Sequence, residues 1–366
     1  MATTPESRHP PHDKSHAQMK TCSRITLRFG HRLVSLWIMS LLLSLPGNGT
    51  VVPHLDVAAL AERADLIVVG RVTNRERGRR ITLPASEGNT LGWNMRGFLQ
   101  VDKTIKGSVQ GSVVTFTFIL PDEGIGYTSI GVGRYGVFFL RQADDGHEVL
   151  DPYHAYVPAV PGALTQTGSA LEKVTRELAN VVASPSRTPP DRWTRWDAVR
   201  ALETILSPSA CATLRTAVDD KDPLVGVWAM SALLNRNDLS VLDGVEKLGP
   251  IPSDPHVENL TAHLGFAIER VKDKRAIPQL SRLLRNGDVN IRRGAASALR
   301  NTQDSRAIKP LTEALYDSDR EVQYQAVIGL AEITGTTGEW APASDTFLKN
   351  PQRYLDHWRD WAKANK

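Results

Sequence analysis

The stretch RAIPQLSRLLRNGDVNIRRGAASALRNTQD, Arg275 to Asp304, is followed by RAIKPLTEALYDSDREVQYQAVIGLAEITG, Arg306 to Gly335. The two align without a gap at a shift of 31 residues. Arg275, Ala276, Ile277, Leu280, Leu284, Asp288, Ile291, Ala295 and Leu299 fall on Arg306, Ala307, Ile308, Leu311, Leu315, Asp319, Val322, Ala326 and Leu330. Each copy holds two apolar-periodic segments separated by a polar turn. Such a unit cannot bury its apolar layer alone, so it stacks on its neighbours as a helical-hairpin solenoid.

Working outward, DPLVGVWAMSALL (222–234) matches DVNIRRGAASALR (288–300) at a shift of 66. Leu260, Leu264, Ala267 and Ile268 supply a degraded copy between them, and residues 193–206 and 210–218 read as worn first units. Asp288 and Asp319 stand where a carboxylate caps the exposed N–H groups of the second helix. Small residues at 295, 298, 326 and 329 allow close helix approach, and the leucines fill the layer between hairpins.

These units resemble HEAT-like repeats of the short variety known from phycobilin lyases. The resemblance is carried by R-A-I-x-x-L at Arg275 and Arg306 and by D-x-x-[IV]-[RQ]-x-x-A-x-x-[AG]-L at Asp288 and Asp319. It implies a binding scaffold; lyase activity does not follow from the repeat. In solenoids of this kind the second helices line the inner curve. Arg292, Arg293, Ser297 and Arg300, with Gln323, Tyr324 and Ile328 and with Gly226, Val227 and Ser231, then mark the partner-facing row. Arg292, Arg293 and Arg300 beside Tyr324 and Ile328 suit an acidic or aromatic peptide segment. A solvated helix face balanced by Asp288, Asp304 and Asp319 is the plainer alternative.

Residues 51–163 are β-rich. LIVVGRV after Asp65, GFLQVDK (97–103), SVVTFTFIL (112–120), GVFFLRQ (136–142) and residues 148–157 read as short strands divided by turns, after a helix over 55–64. The phrases ADLIVVGRV (64–72), VDKTIKGS (101–108), GSVVTF (111–116) and GRYGVFFL (133–140) resemble small secreted OB-fold barrels of the netrin-like and metalloprotease-inhibitor kind. Those inhibitors act through a disulfide-tethered N-terminal cysteine. No cysteine lies near residue 50, so inhibition is not carried over.

Two further motifs are weaker. G-x-G-x-x-G at 131–136 runs into a strand instead of opening a helix, so it reads as a hairpin connection and no cofactor is expected. His147, Asp151 and His154, with Asp144, Asp145 and Glu148 nearby, are the candidate ligands of a divalent metal. They carry the alternative reading, a metal-dependent envelope enzyme. Cys211 occupies an apolar helical position and reads as core.

The first 49 residues have the order of a secretory leader. Arg24, Arg28, His31 and Arg32 precede the uncharged run LVSLWIMSLLLSL (33–45), and Pro46-Gly47-Asn48-Gly49 follows. Cleavage is expected after Gly49. Residues 1–18 read as a start-site extension ahead of Met19-Lys20, and an uncleaved anchor helix is the alternative. Six of the 44 basic and two of the 40 acidic residues lie in this leader, so the remainder carries 38 of each sign. A global attraction to nucleic acid is therefore not expected. Without Cys22 only Cys211 remains, so the mature chain has no internal disulfide.

The organisation read from sequence is a leader (1–49), an OB-like β domain (51–163) and a helix with a Pro-rich linker (164–190). A HEAT-like solenoid (191–338) and an aromatic cap (339–366) follow. The fold class is α+β multidomain. The expected function is an exported, periplasmic or secreted, non-enzymatic scaffold with a protein or peptide partner, touching a membrane only if the leader stays on.

Overall fold

The computed structural model describes residues 56–365 apart from 86–87, 123–125, 163–166, 185–188, 249–259 and 337. The expected leader lies outside the described residues. No helix among them is long and apolar enough to cross a membrane.

Helix α1 (Val57–Arg63) starts where the Asp56 carboxylate accepts from Ala59 N. Six strands follow: β1 (Leu66–Ala85), β2 (Gly88–Lys106), β3 (Val113–Pro121), β4 (Tyr135–Ala143), β5 (Gly146–Val149) and β6 (Tyr156–Pro158). The pairings run β1–β2–β3–β5–β4, and β4 returns to β1, so five strands close on themselves while β6 adds to β4. All pairs are antiparallel except β3 with β5, where Phe116 and Thr117 lie beside His147 and Glu148. Closure removes the sheet edges that would otherwise invite foreign strands.

The barrel is bonded to the helices by its alternation. Leu66, Val68, Phe138 and Leu140 point into the barrel core with Leu99, Phe116 and Phe118. Ile67, Val69, Val137 and Phe139 point the other way, into the core that contains α1 and the helical repeats. Both faces of β1 over Leu66–Val69 and of β4 over Val137–Leu140 are thus buried, which is why LIVV and GVFFL read as continuous apolar runs. Each of these large side chains contributes roughly 1.5–3 kcal/mol by leaving water. A second tie is ionic: Lys103 on β2 meets Glu177 at 3.2 Å, their side chains only 9% and 0% exposed. Burial pushes the Glu177 carboxyl up, and the Lys103 ammonium opposes that rise.

Glu177 lies on α2 (Ala170–Ala183), which begins with a reciprocal capping box between Ser169 and Glu172. Helices α3 (Pro189–Glu203), α4 (Pro208–Ala217), α5 (Pro223–Leu234), α6 (Leu242–Lys247), α7 (Leu260–Glu269), α8 (Ile277–Leu283), α9 (Val289–Asn301), α10 (Ile308–Ala314) and α11 (Arg320–Thr334) are the repeats. Second helices pack in series, α3 on α5, α5 on α7, α7 on α9 and α9 on α11. Ile291 and Val322, the matched residues of the two clear copies, are both buried in the shared layer.

The repeat has a chemical punctuation. Asp222, Asp288 and Asp319 cap α5, α9 and α11 through their side chains. Asp238, Asp273 and Asp304 do the same for the 3-10 turns that open the first helices. In the last two, Arg275 and Arg306 fold back on their own aspartates, whose carboxyls are held below the usual range. α11 stops at Gly335, in the left-handed region at φ 71°. Beyond it α12 (Ser344–Lys349) and α13 (Pro351–Ala364) bury Phe347, Tyr354, Leu355 and Trp358 against the last repeat, and Trp358 Nε1 donates to Trp340 O at 3.1 Å.

Helices α7 and α9 cross closely. A Cβ on Gly294 would lie 2.3 Å from Gly265 O, and one on Gly265 would lie 2.5 Å from Asn290 O. Backbone atoms cannot yield as a flexible side chain does, so overpacking outweighs the ~1 kcal/mol that alanine gains over glycine in a helix. Gly294→Ala is expected to lower stability by about 1–2 kcal/mol net in chemical denaturation. Gly287→Ala, in open space, is expected to stay within about 0.5 kcal/mol.

Candidate functional site: the row of second helices

The arginines of the row are anchored in the repeat architecture. Arg292 Nε and Nη2 donate to Asp317 at 2.8 and 3.2 Å, and Nη1 donates to the carbonyls of Asn286 and Gly287. The pair is largely sequestered, with side chains 14% and 10% exposed. Arg293 grips Asp319 with bonds of 2.8 and 2.6 Å, which raise its pKa above the ordinary guanidinium value. Arg300 reaches Glu332 at 3.0 and 2.5 Å and Gln325 at 3.1 Å. In each case the guanidinium of α9 crosses to the next repeat.

The same device occurs at the start of the array. Arg195 on α3 pairs with Asp220, as Arg292 does with Asp317, both across 25 residues. Asp220 and Asp317 also accept from the backbone N–H two residues on, which shapes the turn before the next capping aspartate. At the equivalent place on α11, Gln323 donates to the carbonyl of Asp317.

The remaining residues expected on the row are also packed. Tyr324 is half-buried against the Phe347 ring, centroids 5.4 Å apart, and Ile328 is buried. Gly226, Val227, Ser231, Ser297 and Gln323 are buried too.

An aromatic ladder not anticipated from sequence runs along the first second helices. Trp193 meets Trp196, and Trp196 meets Trp228, in edge-to-face pairs at 5.7 and 5.3 Å. Trp228 stacks flat on His263 of α7 at 3.9 Å. Arg200 lies over the Trp196 ring at 4.7 Å, and Glu203 accepts from Trp228 Nε1 at 3.2 Å. The signal was the near-repeat spacing of tryptophans 196 and 228, visible only once the helices are in register.

Between α7, α9 and α11 the row opens into a groove of about 260 Å³. Its lining includes the small residues Ala262, Gly265, Gly294 and Ser297. Phe266, Glu269, Asn290, Arg293, Glu321 and Gln325 complete the lining, and Phe266 is 61% exposed. Of the residues expected from sequence, Arg293 and Ser297 reach this groove. Phe266 and Glu269 were missed because α7 is the most degraded copy; Glu321 and Gln325 lie on α11, a clear copy, but outside the positions read as the inward row.

The metal candidates are not gathered into one site. His154 Nδ1 lies 3.0 Å from Asp151 Oδ2, and Asp151 also accepts from Tyr153 N. His147 sits on β5 opposite Gln142. Among the described residues no group of three or more His, Cys, Asp or Glu is placed to hold a metal ion. Cys211 is half-buried on α4, its Sγ 3.4 Å from Arg236 Nη1. The 131–136 glycines turn into β4, with Gly133 at φ 87°.

Two histidines stacked on tryptophans, His263 on Trp228 and His357 on Trp340, have pKa values depressed mainly by burial. The unfolded chain binds these protons more readily, so stability rises with pH across the interval from the depressed folded values up to about 6.5. It is fully present above that value and is lost as pH falls through the interval. Melting temperature is therefore expected to drop between about pH 7 and pH 5.5, above the range in which carboxylates with ordinary pKa values titrate. His263→Phe, which keeps a ring on Trp228, is expected to flatten that drop.

Comparison with known proteins places the repeats. No curated protein matches the chain. Among solved structures, a designed armadillo repeat protein is 17% identical with a TM-score of 0.33, covering 50% of this chain and 95% of its own. A second designed armadillo repeat protein, solved in complex with the peptide (KR)4, is 18% identical with a TM-score of 0.33, covering 50% and 95%. The complex of CpcE and CpcF of phycocyanin lyase from Nostoc sp. PCC7120 is 18% identical with a TM-score of 0.30, covering 52% and 82%. Residues 251–331 match the family model for HEAT repeats, and that part of the chain is a HEAT-like repeat array.

Proposed function

We propose that the protein is an exported, non-enzymatic interaction scaffold that holds a protein partner on the row of second helices. The observation that carries this reading is the groove between α7, α9 and α11, with a phenyl ring, Phe266, 61% exposed at its rim. A large apolar side chain beside polar groups on a rigid helical array is the arrangement of an interface anchor. The ties through Arg292 and Arg300 support the role, because they fix the spacing of successive helices without lining the groove, and Arg293, which does line it, is held by Asp319.

The barrel is read as an OB-like module that closes the first end of the array. Its five-strand ring with β3 and β5 parallel supports this. The leader directs the chain to the periplasm or outside the cell.

Photo-crosslinking residues placed at 266 and, on the first-helix side, at 309 test the docking face. A defined protein partner captured from 266 and absent from 309 is the expected result; equal capture from both, or none from 266, would overturn the reading. Sequencing the purified native protein tests export. A chain starting at Thr50 in the envelope or medium is expected, and a full-length cytosolic chain would contradict it.

A further inference from the structure

We infer that the groove receives a cationic side chain, so that the partner docks through an extended segment bearing arginine or lysine. This rests on the second-helix row being the docking face, and it specifies the chemistry that the face selects. The residue count alone points the other way, since three arginines on α9 would call for an acidic partner. The geometry removes those charges from consideration. Arg292, Arg293 and Arg300 are each committed to a carboxylate of the next repeat.

What the groove has left over is negative. Glu269 accepts one hydrogen bond from Ser297 Oγ at 3.1 Å, and Glu321 accepts one from Gln325 Nε2 at 2.7 Å. Neither is in an ion pair among the described residues, whereas an ionised carboxylate has about four acceptor positions. The positive charge in the groove, Arg293, is ion-paired with Asp319 and also feels Glu321, so with Glu269 the carboxylates here outnumber the single guanidinium three to one. Glu269 and Glu321 sit on different helices, α7 and α11, so a charge entering between them is met from two sides.

Phe266 completes the match. A guanidinium or ammonium entering the groove lays its aliphatic stem, or its charge, on the exposed phenyl face. At about 260 Å³ the groove falls below the ~300–1,000 Å³ of small-molecule sites. It therefore suits one long side chain of a larger partner better than a free cofactor.

The test is a fluorescence-anisotropy titration of the mature chain with three labelled peptides that alternate serine with arginine, glutamate or glutamine. The arginine peptide is expected to bind at least about tenfold tighter than the others, and to weaken with added salt. Glu269→Gln with Glu321→Gln, isosteric changes that keep the internal hydrogen bonds, is expected to cost about tenfold in affinity with an unchanged unfolding transition. Phe266→Ala is expected to weaken the arginine peptide as well. Equal binding of the arginine and glutamate peptides, or an unaffected double variant, would overturn the assignment. A partner crosslinked from position 266 through an acidic or uncharged segment would overturn the sign of the charge while leaving the docking face in place. Failure of crosslinking at 266 would remove the face itself.

Discussion

A helical hairpin of this chain has one apolar layer too many. Leu280, Leu284, Ile291 and Leu299 cannot all be covered by α8 and α9 themselves, so each hairpin depends on the next for burial. The array must therefore be terminated at both ends. At its start the outward faces of β1 and β4 supply Ile67, Val69, Val137 and Phe139 to the same core. At its end Phe347, Tyr354 and Trp358 cover the last layer. Among the described residues, barrel, repeats and final helices consequently belong to one compact unit.

Apolar stacking alone would allow hairpins to slide or rotate, because it is non-directional. Directional bonds between repeats fix the spacing. An arginine of one second helix reaches an aspartate in the turn before the next, at Arg195 with Asp220 and again at Arg292 with Asp317. That aspartate also shapes the turn whose neighbour caps the following helix. One carboxylate thus links turn geometry to repeat spacing. Because these charges are spent internally, the proposed docking face takes its character from Phe266, Glu269 and Glu321.

Much of this was legible in the sequence. The capping aspartates 222, 288 and 319 recur at fixed places, and the apolar period predicts the buried layer, because both depend on interactions local to one helix. What was not legible depends on where a long side chain goes. Arg292 and Asp317 lie 25 residues apart, and nothing in the sequence says that they meet. An arginine drawn to solvent and one tied to the next turn have the same spacing. The β1–β2 ribbon beyond Arg75 was likewise missed. Its residues 75–80 are exposed and polar throughout, so no alternation marks them as strand. The runs LIVV and GVFFL did carry a signal of burial on both faces, but not of what covered the second one.

The account stands on the arginine ties being structural, and a double-mutant cycle between Arg292 and Asp317 measures that directly. Unfolding free energies of Arg292→Met, Asp317→Asn and the double variant should reveal a coupling of about 1–3 kcal/mol, as for a sequestered, hydrogen-bonded pair. Additivity within about 0.3 kcal/mol would mean that the two side chains do not hold successive repeats together. Arg292 would then be free for a partner, and the sign proposed for the docking face would have to be abandoned.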